Sequence, residues 1–270
     1  MARPIPVANR ARGVLVGLAR AHAGGTDPAG ELVGEAALAA LLAEELLETE
    51  VDLRRLTERW ITWWRRDGRG IGPRTGEALE HLARYDAPLP PGGGMADPGP
   101  LVRVVPIALA AASQPRNLVG GTWHTVMLTH PDATTAWTAV AANVALSQLL
   151  LGRRDFLPDV IEALQANDAA VEVLSAVRRI PFVQQDELDG GGHAAIASAE
   201  VALWTAHHES RVDRAWAGPA AGPGDGAALV AALLGAREGE QAVPGPAPES
   251  ERLRSLAKRL VTRRTDGQTD

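Results

Sequence analysis

Gly222–Gly239 reads GPGDGAALVAALLGAREG, a Gly/Pro-rich loop that runs straight into a helix of small and apolar residues. Gly222, Pro223, Gly224 and Gly226 shape a loop whose backbone can approach a bound group closely. From Ala227 to Leu234 no side chain is polar. A helix apolar on all sides is buried, so this one belongs to the interior. One acid, Asp225, stands at the join, where it either caps the helix N-terminus or serves a site whose floor the loop forms.

Outward from that helix the chain offers further helical patterns and no alternating strand. Arg10–His22 carries Val14, Leu15 and Leu18 at helical spacing, and Gly34–Thr49 lines up Leu38, Leu41, Leu42 and Leu46. Asp52–Arg66 places Leu53, Leu56, Trp60, Trp63 and Trp64 along a stripe that predicts burial of Trp60 and Trp64 together. Arg74–Arg84, Ala133–Leu151, Leu157–Ala166, Ala169–Arg178 and His193–His208 follow the same periodicity. Leu101–Ser113 reads as one apolar helix interrupted by Pro106, and Thr122–Thr129 leads into the turn at Thr129–Asp132. Ala87–Pro100, with five prolines and Gly92-Gly93-Gly94, is the longest irregular stretch. Gln241–Pro248 is a Pro/Gly linker, after which Ser250 caps an amphipathic helix through Arg263. The expected fold is all-α, a single many-helix domain over residues 1–264, with 265–270 a disordered tail.

Composition narrows the partners. The 270 residues are 46% hydrophobic, enough for one core, and carry a net charge of −6. Lys258 is the only lysine among 27 basic residues, and the arginines are spread along the chain, so no nucleic-acid track is expected. Without cysteine there are no disulfides, thiolate metal ligands or Cys nucleophile. The apolar run Gly13–Ala19 is too short and too hemmed by Arg10, Arg12 and Arg20 for a secretion signal, and no stretch is long enough to span a membrane. The expectation is a cytoplasmic protein without membrane contact; its oligomeric state is left open.

Six blocks, in order along the chain, resemble the ADP-ribosylglycohydrolase family. They are RARGVLVGL (10–18), RGIGPRTGEAL (69–79), GPLVRVVPIAL (99–109), THPD (129–132), AEVALW (199–204) and the Gly222 loop with its helix. The resemblance implies an all-α fold with a dinuclear Mg²⁺ site in a cleft that binds ADP-ribose. Where the family's first helix ends in Gly-Asp, this chain has Ala21-His22. The family's Thr-Asp-Asp-Thr at the second helix is here Val33, Gly34, Glu35, Ala36, and its Gly-Asp-Thr-Asp-Thr loop is Gly222 to Gly226. Asp225 is the one retained carboxylate and Glu35 a longer substitute. Two Mg²⁺ ions need several hard oxygen ligands, so neither a two-metal site nor any other cofactor is expected.

Three residues are candidates for chemistry. His22, in place of an acid at the mouth of the site, suits proton transfer near neutral pH, with Glu35 or Asp225 to orient it. Gly99, Arg103, Gly191, Gly192, His193 and Gly224 are the candidate ligand contacts carried over from the resemblance. Arg103 offers two parallel donors to a phosphate or carboxylate, or else an interhelical ion pair. His124, His130, His207 and His208 are set aside. The resulting expectation is a family-like protein that has lost the two-magnesium site and uses the inherited cleft for a nucleotide-like or other small ligand, ADP-ribose among the candidates, with metal-independent chemistry or none. Two alternatives stand beside it: a hydrolase with a remodelled single-metal site using Asp225 and Glu35, and a noncatalytic interaction protein.

Overall fold

The computed structural model of the chain describes residues 4–23, 30–48, 51–91, 97–188, 190–218 and 224–266. Its regular structure is helical throughout. In order, the helices are α1 (Val7–His22), α2 (Gly34–Glu45), α3 (Leu53–Arg66), α4 (Pro73–Tyr85), α5 (Gly99–Arg103), α6 (Val105–Ala110) and α7 (Pro115–Met127). After these come α8 (Ala133–Leu150), α9 (Leu157–Ala166), α10 (Val171–Arg179), α11 (Ala194–His208), α12 (Val212–Ala217), α13 (Asp225–Glu238) and α14 (Ser250–Asp266). Among the described residues no helix is long and apolar enough to cross a membrane.

The all-apolar helix sits at the centre, as its composition requires: Ala227 to Arg237 are buried without a break. Its closest neighbour is α1, which runs antiparallel to it at backbone contact. A Cβ added to Gly235 would stand 2.2 Å from the carbonyl of Gly13, and one on Gly17 would stand 2.9 Å from Ala231 O. One step further along, Ala21 packs with Ala227 and Ala231. The three glycines and the alanines between them are therefore dictated by how closely the two helices approach. The helices α8 and α11 cover other sides of α13, and α14 lays Leu253, Leu256, Ala257 and Leu260 against the core.

The tryptophan stripe divides. Trp60 is fully buried, with its indole N–H donating to Leu38 O at 3.1 Å, and Trp63 is buried too, while Trp64 is half-buried. Other departures from the sequence reading have local causes. Pro106 sits in the first turn of α6, so the expected helix 101–113 breaks at Val104 into two pieces, and Asn143 Nδ2 holds the Val104 carbonyl at 3.0 Å. Gly120-Gly121 lie inside α7 rather than before it, and α12 was not anticipated. Asp225 is not the cap: Gly224, at φ 119°, takes that position, and Asp225 opens the helix without a side-chain capping bond. Gly222, Pro223 and Gly92–Gly94 lie outside the described residues, as do 267–270 of the expected tail.

Two substitutions test this packing. Trp60→Ala should cost about 3–5 kcal/mol in urea denaturation, and Trp64→Ala well under half as much. Gly235→Ala, one methyl pressed into backbone, should cost at least about 1–3 kcal/mol despite alanine's better helix propensity; an unchanged or raised midpoint would refute the close approach.

Candidate functional site

The antiparallel register that pairs Gly13 with Gly235 and Gly17 with Ala231 brings the last residue of α1 to the first of α13. His22 Nε2 lies 3.3 Å from Asp225 Oδ1. Beside this pair the second helix begins. Gly34 has φ +54°, and a Cβ there would stand 2.5 Å from His22 Cε1 and 2.5 Å from Gly70 O. The imidazole thus occupies the space that a side chain at position 34 would use.

Glu35 points into the protein and is 1% exposed. Its Oε1 accepts a hydrogen bond from Thr75 Oγ1 at 2.9 Å, and its Oε2 lies 3.3 Å from Arg103 Nη1. Arg103 has no accessible surface, and its guanidinium lies 5.6 Å from the ring of Trp60. Of the alternatives open in the sequence, the structure places Arg103 in the interhelical ion pair. Gly99 serves the same contact, since a Cβ there would come within 2.7 Å of Glu35 Oε1.

The network continues outward. Arg103 Nη2 lies 3.2 Å from His130 Nδ1, and because guanidinium nitrogens only donate, Nδ1 is the acceptor and the ring proton sits on Nε2. That nitrogen faces Asp97 Oδ2 at 3.6 Å, while Asp97 Oδ1 accepts from Gly99 N–H at 2.9 Å. His130, set aside in the sequence, is therefore part of the constellation, as are Thr75 and Asp97. All three lay in recognisable places: Thr75 and His130 in blocks shared with the family, Asp97 in the long Pro/Gly stretch.

Burial pushes the Glu35 carboxyl up to about 7; Arg103 and Thr75 oppose the rise, and Asp225 and Asp97 add to it. Burial also lowers His130, with Arg103 acting in the same direction and Asp97 against. Burial raises Asp97, but the nearby His130 ring, the Gly99 N–H and the Arg103 charge together hold it below the usual carboxylate range.

A second cluster forms where α8 and α11 begin. Asp132 accepts from Thr135 N–H at 2.7 Å and faces His193 Nε2 at 3.5 Å. Gly191 and Gly192 have positive φ and open space where a Cβ would stand, whereas Gly190 is packed against Ala197 and its N–H is held by Glu200 at 2.9 Å. Gly226, near Ser198 of α11, links this side to the start of α13. The structure thus brings His22 together with Asp225, and Glu35 together with Gly99 and Arg103 beside them, and places Gly191, Gly192 and His193 in a separate cluster; Gly224 caps α13.

A family model for ADP-ribosylglycohydrolase matches residues 3–269, almost the whole chain. The chain belongs to the ADP-ribosylglycohydrolase family. Among solved structures, one titled "ADP-ribosylglycohydrolase-related protein complex" is similar at 22% identity and a TM-score of 0.76, over 96% of this chain and 99% of that one. At that identity the likeness shows the ADP-ribosylglycohydrolase fold. No curated protein matches the chain significantly.

The raised carboxyl makes a pH test possible. Folding favours neutral Glu35, whose value moves from 4.5 to about 7. Its contribution to stability is complete below pH 4.5 and is lost as pH rises through 7. Glu35→Gln keeps the neutral shape, so between pH 4.5 and 8 the variant should gain about 3 kcal/mol relative to the parent. Urea denaturation of both proteins across that window is the measurement. A constant difference would mean that Glu35 is ionised throughout.

Proposed function

We propose that this member of the ADP-ribosylglycohydrolase family binds an ADP-ribose-like small molecule in the family cleft, and that an ion-pair and proton network replaces the two-magnesium hydrolytic centre. The observation that carries the reading is the His22 ring standing in the space of a side chain at Gly34. A ligand position is not merely emptied there; the replacement of a carboxylate by glycine and the arrival of an imidazole fit one another sterically.

The remaining oxygens support the same reading. Glu35 is committed to Thr75 and to the buried Arg103 cation, Asp225 to His22, and Asp97 to Gly99 and His130. Two divalent cations would need several free carboxylates and would be repelled by a guanidinium beside Glu35. This donor set does not fit the metal pair, and among the described residues no group of three or more acidic or histidine side chains is placed to hold a metal ion. Nor is Glu35 placed as a general acid, since at 1% exposure it holds Arg103 and Thr75 rather than reaching a substrate. The partly exposed Asp225, with His22 behind it, is the group offered to a ligand's hydroxyls, and the open backbone at Gly191 and Gly192 with His193 supplies a second contact area. Arg103 positions the network from behind.

Titration calorimetry with ADP-ribose in Mg²⁺ and in chelator tests both parts. Binding is expected in both buffers with the same affinity, and weakened about tenfold in Asp225→Asn. A magnesium site with a dissociation constant one hundredth of the free concentration would add about 2.7 kcal/mol, so no chelator-reversible rise in melting temperature is expected. Such a rise would restore the metal hydrolase. Absence of heat at millimolar ADP-ribose would remove the nucleotide ligand.

A further inference from the structure

Away from the cleft, a groove of about 550 Å³ runs along α7, between that helix and the far ends of α2, α6 and α14. The helix carries two adjacent glycines in its middle, Gly120 and Gly121, and they differ from those of α1 and α13 in one respect. Where Gly13, Gly17 and Gly235 are imposed by a neighbouring backbone, a Cβ on Gly120 would meet nothing within 4 Å, and one on Gly121 would make only an ordinary contact with Ile107 at 3.5 Å. Neither glycine has the positive φ that would demand it. Two mid-helix glycines weaken a helix, and here neither packing nor backbone geometry requires them. What they do is keep the wall of the groove clear.

The other surfaces of the groove say what it would hold. Opposite the glycines the wall is apolar, built by Leu42, Ile107 and Leu260. Thr125, one turn beyond Gly121, is 2% exposed, lines the groove, and its hydroxyl has no hydrogen-bond partner among the described residues. At the other end stands Arg116, which has no acidic partner among the described residues. Arg116, Gly120 and His124 are four residues apart in turn, so the clear stripe is roughly 12 Å long with a cation at its head. The volume is that of a small-molecule site.

We propose that this groove binds a medium-chain aliphatic carboxylate, its chain lying over Gly120 and Gly121 against the apolar wall and its carboxylate on the Arg116 guanidinium. The geometry matches a two-donor fork to a two-oxygen acceptor, with the methylenes removed from water along the stripe. The site is independent of the cleft reading, because none of its residues belongs to either polar cluster.

Decanoate is the probe, with decan-1-ol as its uncharged counterpart, measured by titration calorimetry on the full chain. One decanoate per chain is expected to bind, with affinity about tenfold lower in Arg116→Gln and with decanol binding parent and Arg116→Gln equally weakly. Gly120→Leu fills the groove and should abolish binding. Gly120→Ala, which the open space and helix propensity should make more heat-stable than the parent, should weaken it without loss of fold. No saturable binding to the parent, binding indifferent to both Gly120 variants, or decanol bound as tightly as decanoate would each overturn the proposal.

Discussion

Everything at the site depends on two helices touching backbone to backbone. Ordinary helix pairs keep their axes 8–10 Å apart because side chains stand between them. Gly13, Gly17 and Gly235 remove those side chains, and what remains is a register locked by main-chain atoms. A register fixed in the middle of a helix pair is fixed at its ends as well. That is why His22 and Asp225, from opposite ends of the chain, meet at 3.3 Å. It is also why α13 can be apolar on every face: the side turned toward α1 needs small atoms rather than large ones, and α8 and α11 enclose the others.

Next to this contact lies a second kind of core, made of polar groups around the Arg103 cation, to which Glu35 adds a negative charge only as pH rises through about 7. Arg103 and Glu35 are both removed from water, with Trp60 beside the guanidinium and Thr75 and His130 sharing its donors. Buried ion pairs stabilise little compared with an apolar core of the same volume, but losing one partner costs heavily because the other is stranded. Such a network gains its value from fixing geometry. Here it ties α2, α4, α5 and the turn before α8 to one another.

The sequence made the fold legible because its signals are periodic and local. An eight-residue apolar run, a tryptophan stripe and several leucine-lined helices need no knowledge of their neighbours to be recognised. It was least informative where the decisive partner lies far along the chain. Nothing near Arg103 says that Glu35 will neutralise it, so a buried ion pair and a ligand contact read alike. His130 looked dispensable for the same reason: its partners come from positions 97 and 103, on other elements. For Asp225 the sequence left a helix cap and a site residue open, and Gly224, with its positive φ, takes the cap position. The first half of α7 gave no clear helical pattern because Gly120 and Gly121 interrupt it with two poor helix formers.

The α1 and α13 contact also bears on how the protein is made. Gly13 and Gly235 are more than two hundred residues apart, so α1 leaves the ribosome long before the helix it must touch. Throughout that interval the face of α1 that carries Gly13, Gly17 and Ala21 lacks the helix that will cover it, and closing so large a loop carries an entropic cost that shorter contacts avoid. Contacts of this range slow folding and lengthen the exposure of apolar surface. The charged floor under Glu35 draws on residues between 35 and 130 and can assemble first. The chain is therefore built to hold a half-finished site open at one side, and α13 arrives as the keystone.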